Sequence, residues 1–196
     1  MSASSVTPSL PTGELIHGRT ASMRPGDLAH QLTAFLITVG EPTTNAALAC
    51  LRDQTAGCEV EIIDHIAPMN VAFQAMLDRC YTRYYVQVDA DMLLHRNAIW
   101  SLYEAIAHYR LGAAMVCAPL WDDFDDRPIY GVKVYDHEVF RRFPYQASLS
   151  CEVDQLARLE AAGHWWQCTP LAERDECFGL HGTSYTPRDA FLRYRG

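Results

Sequence analysis

Two aspartates separated by one alanine, Asp89 and Asp91, follow a β-rich apolar run over residues 84–88. Side chains one residue apart can converge where the chain leaves a strand and bends. Mg²⁺ and Mn²⁺ are commonly held by one or two carboxylates together with phosphate oxygens. The pair therefore indicates a site for a hard divalent cation. The alternative is an exposed acidic turn, because an Asp-x-Asp motif taken alone is frequent in proteins.

A second pair of carboxylates, Glu152 and Asp154, stands immediately before a run with helical spacing over residues 155–162. A carboxylate at the start of a helix is stabilised by the helix dipole and stays ionised. An ionised carboxylate can take a proton from a hydroxyl group, which is the task of a general base. Glu152 is therefore a candidate catalytic base. Capping of the helix is the simpler alternative, and the two roles are compatible.

A histidine near the end of the sequence, His181, lies in the glycine-containing segment 178–185, which we expect to be a loop. A histidine in a loop has little reason to serve as core packing, although it can simply be exposed. Imidazole is an acceptable ligand for Mn²⁺, so His181 is a candidate metal ligand or a contact for a metal-bound phosphate group. Tyr185 and Arg188 follow it and are candidates to close over such a phosphate group.

Alternating strand and helix patterns must position these residues. Short β-rich apolar runs lie at 33–39, 59–64, 83–89 and 113–119, and helical patterns separate them. This alternation predicts a three-layer α/β/α protein with a mostly parallel central sheet. Ligands of such sheets bind outside the carboxyl ends of the strands. The rule adds four residues to Asp89 as candidate ligand-binding positions: Thr38, Glu41, Asp64 and Asn70.

Composition limits the classes of function. The chain has 196 residues, 49% of them hydrophobic, which suits one globular domain and excludes a wholly disordered chain. Its 24 acidic and 16 basic residues give a net charge of −8, which argues against nucleic acid as a partner. We expect residues 1–30, which are rich in Ser, Thr, Pro and Gly, to be a flexible extension.

The sequence also indicates the cellular compartment. No run approaches the roughly 18 apolar residues that would predict an integral membrane segment, and the N-terminus lacks the apolar core of a signal peptide. Seven cysteines occur without a Cys-x-x-Cys pair, so we expect reduced thiols. These features together predict a cytoplasmic protein.

In their order along the chain, these segments resemble the GT-A glycosyltransferases, and in particular the large family-2-like group. The resemblance is carried by the runs 35–39 and 59–64, the helix start at Asn70 and the Asp-x-Asp motif. It implies that Asp89 lies near the donor ribose or sugar and that Asp91 coordinates a metal ion bridging the diphosphate. It also implies that Asp64 faces the nucleotide base.

The second acidic segment supports the same resemblance. Glu152, Asp154, Arg158 and Gly163 match the spacing of a family segment, although Cys151 stands where the family has a further acid. The resemblance implies that Glu152 is the catalytic carboxylate, that His181 completes the shell of Mn²⁺ or Mg²⁺, and that Tyr130 or Lys133 lies near the acceptor. We expect the acidic run 122–126 to be a solvated loop.

The function implied is a metal-dependent transfer of a sugar, with inversion, from a nucleoside diphosphate sugar to a carbohydrate or another hydroxyl-bearing acceptor. Residues 31–196 would form one GT-A domain, with a nucleotide-sugar-binding half at 31–120 and an acceptor half at 121–196. Two alternatives stay open. One is a nucleotidyltransferase, although the loop 40–44 lacks the basic residue usual in that class. The other is a degenerate domain that binds a nucleotide sugar without catalysis.

Overall fold

The computed structural model describes residues 28–109, 112–148 and 150–182. Most of the expected N-terminal extension, and both Tyr185 and Arg188, lie outside these ranges. Within them, no helix is long and apolar enough to cross a membrane. The seven cysteines all fall within the described ranges and are free thiols.

Strands and helices alternate between residues 32 and 122, as the sequence predicts, except for one additional short strand at Met92–Leu94. The strands are β1 (Leu32–Thr38), β2 (Glu59–Asp64), β3 (Tyr84–Asp89), β4 (Met92–Leu94), β5 (Met115–Asp122), β6 (Arg127–Asp136), β7 (Trp166–Cys168) and β8 (Gly179–His181). The helices are α1 (Thr44–Arg52), α2 (Met69–Arg79), α3 (Ala98–Glu104), α4 (His137–Phe140) and α5 (Cys151–Ala161). A π-helical turn, Ala105–Tyr109, extends α3, and a 3₁₀ turn, Arg174–Glu176, precedes β8.

The strands form one sheet in the order β2-β1-β3-β6-β5-β8-β4, with β7 also beside β5. Strand β1 runs parallel to β2 and β3, as expected for strands joined through helices. Strand β6 runs antiparallel to β3 and β5, because the short turn 123–126 returns the chain directly beside β5. The α/β class is confirmed, and the sheet is mixed rather than mostly parallel.

Side chains of the inner strands alternate between the two faces of the sheet, which gives the three layers. Leu36, Val86 and Val88 pack on one face in a buried cluster that includes Ile99 and Leu102 of α3. The opposite face carries a second cluster, to which α2, α4 and α5 contribute: Phe35, Tyr85, Met76, Tyr135, Phe140 and Leu159. The face beneath α5 is where the polar residues described next converge.

Candidate active site

Parallel pairing brings the carboxyl ends of three strands to one edge of the sheet. Thr38, the last residue of β1, pairs with Asp64 at the end of β2. Its neighbour Ile37 pairs with Asp89 at the end of β3. Three of the candidate positions are thereby placed side by side, as the rule for ligand sites in α/β sheets predicts.

Asp89 is half-buried and lies within a group of interacting charges. Burial, with the negative charge of Asp91 adding to it, raises the pKa of Asp89 to about 6, and the cation of Lys133 opposes the rise. The negative charge of Glu152 also contributes to the rise. The two acidic segments of the sequence are therefore close enough in space to influence each other's charge. The amide of Gln87 lies 3.4 Å from Oδ1 of Asp89.

Glu152 lies in the first turn of α5 and faces strand β6. The ammonium of Lys133 donates a hydrogen bond of 2.7 Å to Oε1 of Glu152. The hydroxyl of Tyr135 lies 3.4 Å from the same oxygen and 3.1 Å from Oε1 of Gln87. Burial raises the pKa of Tyr135 well above its ordinary value, so this hydroxyl stays a neutral donor. A continuous polar chain thus links Glu152 through Tyr135 and Gln87 to Asp89.

The cation of Lys133 is held in place by its partner. Burial alone would lower the pKa of Lys133, but the charge of Glu152 and the hydrogen bond to it outweigh that effect and raise the pKa. The two side chains are 22% and 30% exposed, so the pair is partly accessible to solvent. Lys133 therefore stays protonated at neutral pH. Its contact with Glu152 was not foreseen, since the sequence suggested only that Tyr130 or Lys133 lies near the acceptor.

A second cluster joins three distant segments around His181. The Nδ1–H group of His181 donates a hydrogen bond of 2.7 Å to Oδ2 of Asp122, and Nε2 lies 3.6 Å from Oδ2 of Asp91. All three residues are 7% exposed. A carboxylate that fixes one ring nitrogen orients the other, which is the usual support of a histidine that binds a metal. The pair Asp91 and His181 is therefore brought together as expected.

Two expectations about this cluster are wrong. His181 ends the short strand β8, which pairs with β4 and β5, rather than lying in a loop. Asp122 is buried at the end of β5, whereas the acidic run 122–126 was expected to be solvated throughout. Its Oδ1 accepts hydrogen bonds from the backbone N–H groups of Phe124 and Asp125. Although burial raises the pKa of Asp122, these bonds and the one from His181 outweigh it and lower the pKa.

Thr38 and Glu41 form the turn between β1 and α1. The hydroxyl of Thr38 donates to Oε2 of Glu41 over 2.7 Å, and the backbone N–H of Val39 donates to the same oxygen. Burial raises the pKa of Glu41, but the hydrogen bonds from Thr38 and the backbone outweigh this and lower it. Glu41 is therefore an ionised acceptor that fixes the turn at the edge of the site.

Asp64 and Asn70 lie on the outer part of the same edge. Asp64 is 62% exposed at its side chain, and its Oδ1 lies 2.5 Å from Nδ1 of His65. The backbone of His65 has a φ of 50°, and its ring lies over Gly40, where an added Cβ would come within 3.3 Å of Nε2. Asn70 is half-buried in the first turn of α2. Within the described residues, the side chains of Asp64 and Asn70 form no hydrogen bond to the polar contacts that link Glu152 to Asp89.

The residues of the second motif have two different roles in the structure. Arg158 forms an ion pair of 2.9 Å with Asp154, one helical turn before it, and donates a hydrogen bond of 2.9 Å to the backbone carbonyl of Pro144. These contacts fasten α5 to the loop that precedes it. Asp154 and Arg158 therefore hold the helix, whereas Glu152 faces the sheet.

The described residues do not form a complete metal cage. Across 28–109, 112–148 and 150–182, no three His, Cys, Asp or Glu side chains are grouped closely enough to hold an ion by themselves. The carboxylate of Asp91 nevertheless suits Mn²⁺ or Mg²⁺, and the imidazole of His181 is an acceptable ligand for Mn²⁺, provided that other oxygen ligands come from a bound phosphate or from water. The arrangement thus offers a buried pair of candidate metal ligands, and the charge of Asp91 and that of the ion-paired Glu152 both act on Asp89.

Comparison with known proteins identifies the fold. No protein-family model and no curated protein sequence matches the chain. Among solved structures, it resembles the mannosyltransferase PcManGT from Pyrobaculum calidifontis, in complex with GDP-Man and Mn²⁺, with a TM-score of 0.65 at 12% identity. This likeness covers 92% of the present chain and 65% of the mannosyltransferase.

Two further solved structures are similar. Glucosyl-3-phosphoglycerate synthase from Mycobacterium tuberculosis, in complex with Mn²⁺, UDP and phosphoglyceric acid, gives a TM-score of 0.58 at 13% identity, over 95% of this chain and 79% of its own. The 4-diphosphocytidyl-2C-methyl-D-erythritol synthase from Anaerococcus prevotii gives 0.55 at 9% identity, over 84% and 97%. At such identities the likeness concerns architecture, and it confirms the GT-A-like fold that the sequence resemblance predicted.

Proposed function

We propose that this chain is a metal-dependent glycosyltransferase that moves a sugar from a nucleoside diphosphate sugar to an acceptor hydroxyl. The observation that carries the proposal is the juxtaposition of two sites on one sheet edge. Asp91 and His181 provide a place for a metal ion, and Glu152 provides an ion-paired carboxylate linked to Asp89. Both are needed for this chemistry, and the fold is shared with the transferases named above.

Asp91 and His181 would hold Mn²⁺ or Mg²⁺, with Asp89 contacting the ion or the donor ribose and sugar. The bound ion would neutralise the negative charge that builds on the departing diphosphate. Asp122 supports this by holding the His181 ring with Nε2 toward Asp91. Thr38, Glu41, Asp64 and Asn70 would border the nucleoside, with the exposed carboxylate of Asp64 facing the base.

Glu152 would act as the general base, from the half of the chain that begins near residue 121. Lys133 and Tyr135 both contact Oε1, so Oε2 is the atom we assign to the acceptor hydroxyl. The proton of the acceptor hydroxyl would move to Oε2 while the hydroxyl oxygen attacks the anomeric carbon, and the bond from that carbon to the diphosphate would break on the opposite face. A single displacement of this kind inverts the anomeric centre.

A nucleotidyltransferase is the rival from another reaction class, and the fold alone does not separate the two, because the synthase from Anaerococcus prevotii shares it. The turn after β1 favours the glycosyltransferase. It is built around the ionised carboxylate of Glu41 and contains no basic side chain to meet a triphosphate. The products also differ, since a nucleotidyltransferase releases pyrophosphate and a glycosyltransferase releases a nucleoside diphosphate.

Thermal unfolding with UDP-, GDP-, dTDP- and CMP-sugars, each with and without Mn²⁺, tests the proposal. A ligand that binds only the folded state adds RT ln(1 + [L]/Kd), roughly 2.7 kcal/mol at a hundredfold excess over Kd. We expect one nucleotide to raise the unfolding temperature only with Mn²⁺, and Asp91→Asn to abolish the effect. No stabilisation by any donor would refute the proposal, and release of pyrophosphate from a nucleoside triphosphate would favour the rival.

A further inference from the structure

Lys133 is the only lysine in the printed sequence; the other 15 of its 16 basic residues are arginines. Arginine and lysine differ in kind: the guanidinium is a planar fork, whereas the ammonium is a compact, strongly hydrated point charge on a flexible stem. The ammonium of this lysine lies on β6, opposite Gln87 of β3 and in contact with Glu152. Its position beside the assigned base calls for a chemical explanation.

The proposed reaction removes the partner of this ammonium. Before transfer, Glu152 carries a negative charge that balances Lys133 at 2.7 Å. When Oε2 takes the acceptor proton, Glu152 becomes neutral, and the mostly buried ammonium loses its counter-charge. An uncompensated buried charge is strongly unfavourable. Asp89 offers only part of the compensation, because it acts on Lys133 more weakly than Glu152 does.

We propose that the acceptor itself supplies the counter-charge: it is a hydroxy compound bearing a carboxylate or phosphate that binds the Lys133 ammonium. This inference rests on the proposed function and names the substrate class of the same site. The anion lies beside the reacting hydroxyl, so Lys133 passes from Glu152 to the acceptor as Glu152 is protonated. A flexible ammonium suits this exchange better than a rigid fork that pairs two oxygens at once.

The geometry favours the acceptor over the donor as the source of the anion. Lys133 donates a hydrogen bond to the group that receives the acceptor proton, and both side chains are partly exposed to solvent. The diphosphate, by contrast, is assigned to the cluster of Asp91 and His181, which is held by β8 and the end of β5. The experiment must also be able to detect the other outcome, in which Lys133 contacts the donor diphosphate.

Because the chain has one lysine, chemical labelling reports on this site directly. The wild-type protein with UDP and Mn²⁺ (or the nucleotide that the donor screen selects) is acetylated with an amine-reactive ester. Modification of Lys133 is then quantified by peptide mass spectrometry against the α-amino group. Three probes share hydroxyls and differ in charge: glycerol, glycerate and glycerol 3-phosphate. We expect one or both anions to slow acetylation of Lys133 and glycerol to leave it unchanged.

Turnover of variants gives an independent reading. Lys133→Met removes the charge and keeps the length of the side chain, and Lys133→Arg restores the charge. With the anion that protects Lys133 from acetylation as the acceptor, Lys133→Met should lose about 30-fold or more in kcat/KM, as expected when one partner of a desolvated charge pair is truncated. The Arg variant should recover part of this. Arg127→Met is the matched control, because Arg127 lies on the same strand and its guanidinium pairs with Asp125 rather than with Glu152.

The outcomes separate this inference from the proposed function. Absence of Mn²⁺-dependent donor binding refutes the proposed function. Normal donor binding with equal protection of Lys133 by all three probes refutes only the anionic acceptor. A Lys133→Met protein that folds but loses donor binding places Lys133 on the diphosphate and also overturns the inference. Labelling of the wild-type protein keeps the test decisive if the variant fails to fold.

Discussion

Asp122→Asn should weaken metal binding without removing any proposed metal ligand. Asp122 Oδ1 accepts two backbone N–H groups, from Phe124 and Asp125, and Oδ2 accepts Nδ1–H of His181. In the variant, the amide oxygen stays with the backbone donors, since the opposite orientation would point NH₂ at them. The amide NH₂ then faces Nδ1, which must become an acceptor, and the ring proton moves to Nε2. A protonated Nε2 cannot ligate a metal ion.

The size of the effect follows from the indirect nature of the contact. Loss of a residue that orients a metal ligand typically costs about 10–100-fold in metal affinity. That range corresponds to roughly 1.4–2.7 kcal/mol. Removal of a proposed ligand, as in Asp91→Asn, should cost more. The predicted order of Mn²⁺ affinities is therefore wild type, then Asp122→Asn, then Asp91→Asn.

Electron paramagnetic resonance of free Mn²⁺, titrated in the presence of the nucleotide selected by the donor screen, measures these affinities. Asp125→Asn is the matched control, because Asp125 lies in the same acidic turn and pairs with Arg127. It should bind Mn²⁺ like the wild type. Equal affinity of Asp122→Asn and the wild type, with both proteins folded, would show that Asp122 does not orient a metal ligand and would refute the reasoning.

Three further predictions address the base, the charge cluster and the fold. Glu152→Gln should keep donor binding and lose turnover, measured by release of nucleoside diphosphate; full activity would exclude Glu152 as the base. In EDTA, ionisation of Asp89 opposes folding, because its folded pKa of about 6 exceeds the ordinary value of 3.8. The stabilisation of Asp89→Asn over wild type should therefore grow between pH 4 and pH 7.5, by up to about 3 kcal/mol in urea unfolding; a constant difference would contradict the assignment. Gly179→Ala should destabilise the fold by about 3 kcal/mol or more, since its Cβ would lie 2.4 Å from the carbonyl oxygen of Leu93. Gly163→Ala, where open space surrounds the new Cβ, should cost only about 1–2 kcal/mol of backbone strain, and equal losses would refute the clash.

The local sequence pattern predicts the first half of the fold well. The runs that become β1, β2 and β3 are apolar and β-rich, and glycine, proline or asparagine separate them from the helices. Once those strands are parallel, the positions of Thr38, Asp64 and Asp89 at one edge follow from topology. The placement of Asp89 and Asp91 could therefore be predicted from the sequence.

The contacts that Asp122 and Lys133 make could not be predicted in the same way. Asp122 looked like one member of a solvated acidic run, and its burial depends on the pairing of β5 with β8, which joins residues 59 positions apart. The contact between Lys133 and Glu152 likewise needs α5 to pack across β6. One signal was present in each case: Asp122 ends a long apolar strand, and Lys133 is the only lysine among apolar strand residues.

The departure from a mostly parallel sheet is also what joins the two proposed sites. A parallel strand beside β3 would direct its carboxyl end toward Asp89 and would need a crossover helix of its own. Instead β6 enters antiparallel and sets Lys133 opposite Gln87 and Tyr135 opposite Tyr85. Side chains of β6 can therefore reach both Gln87 and the first turn of α5. The reversal ties Glu152 to the strand that ends in Asp89, so a shift of β6 would disturb the base and the Asp-x-Asp segment together.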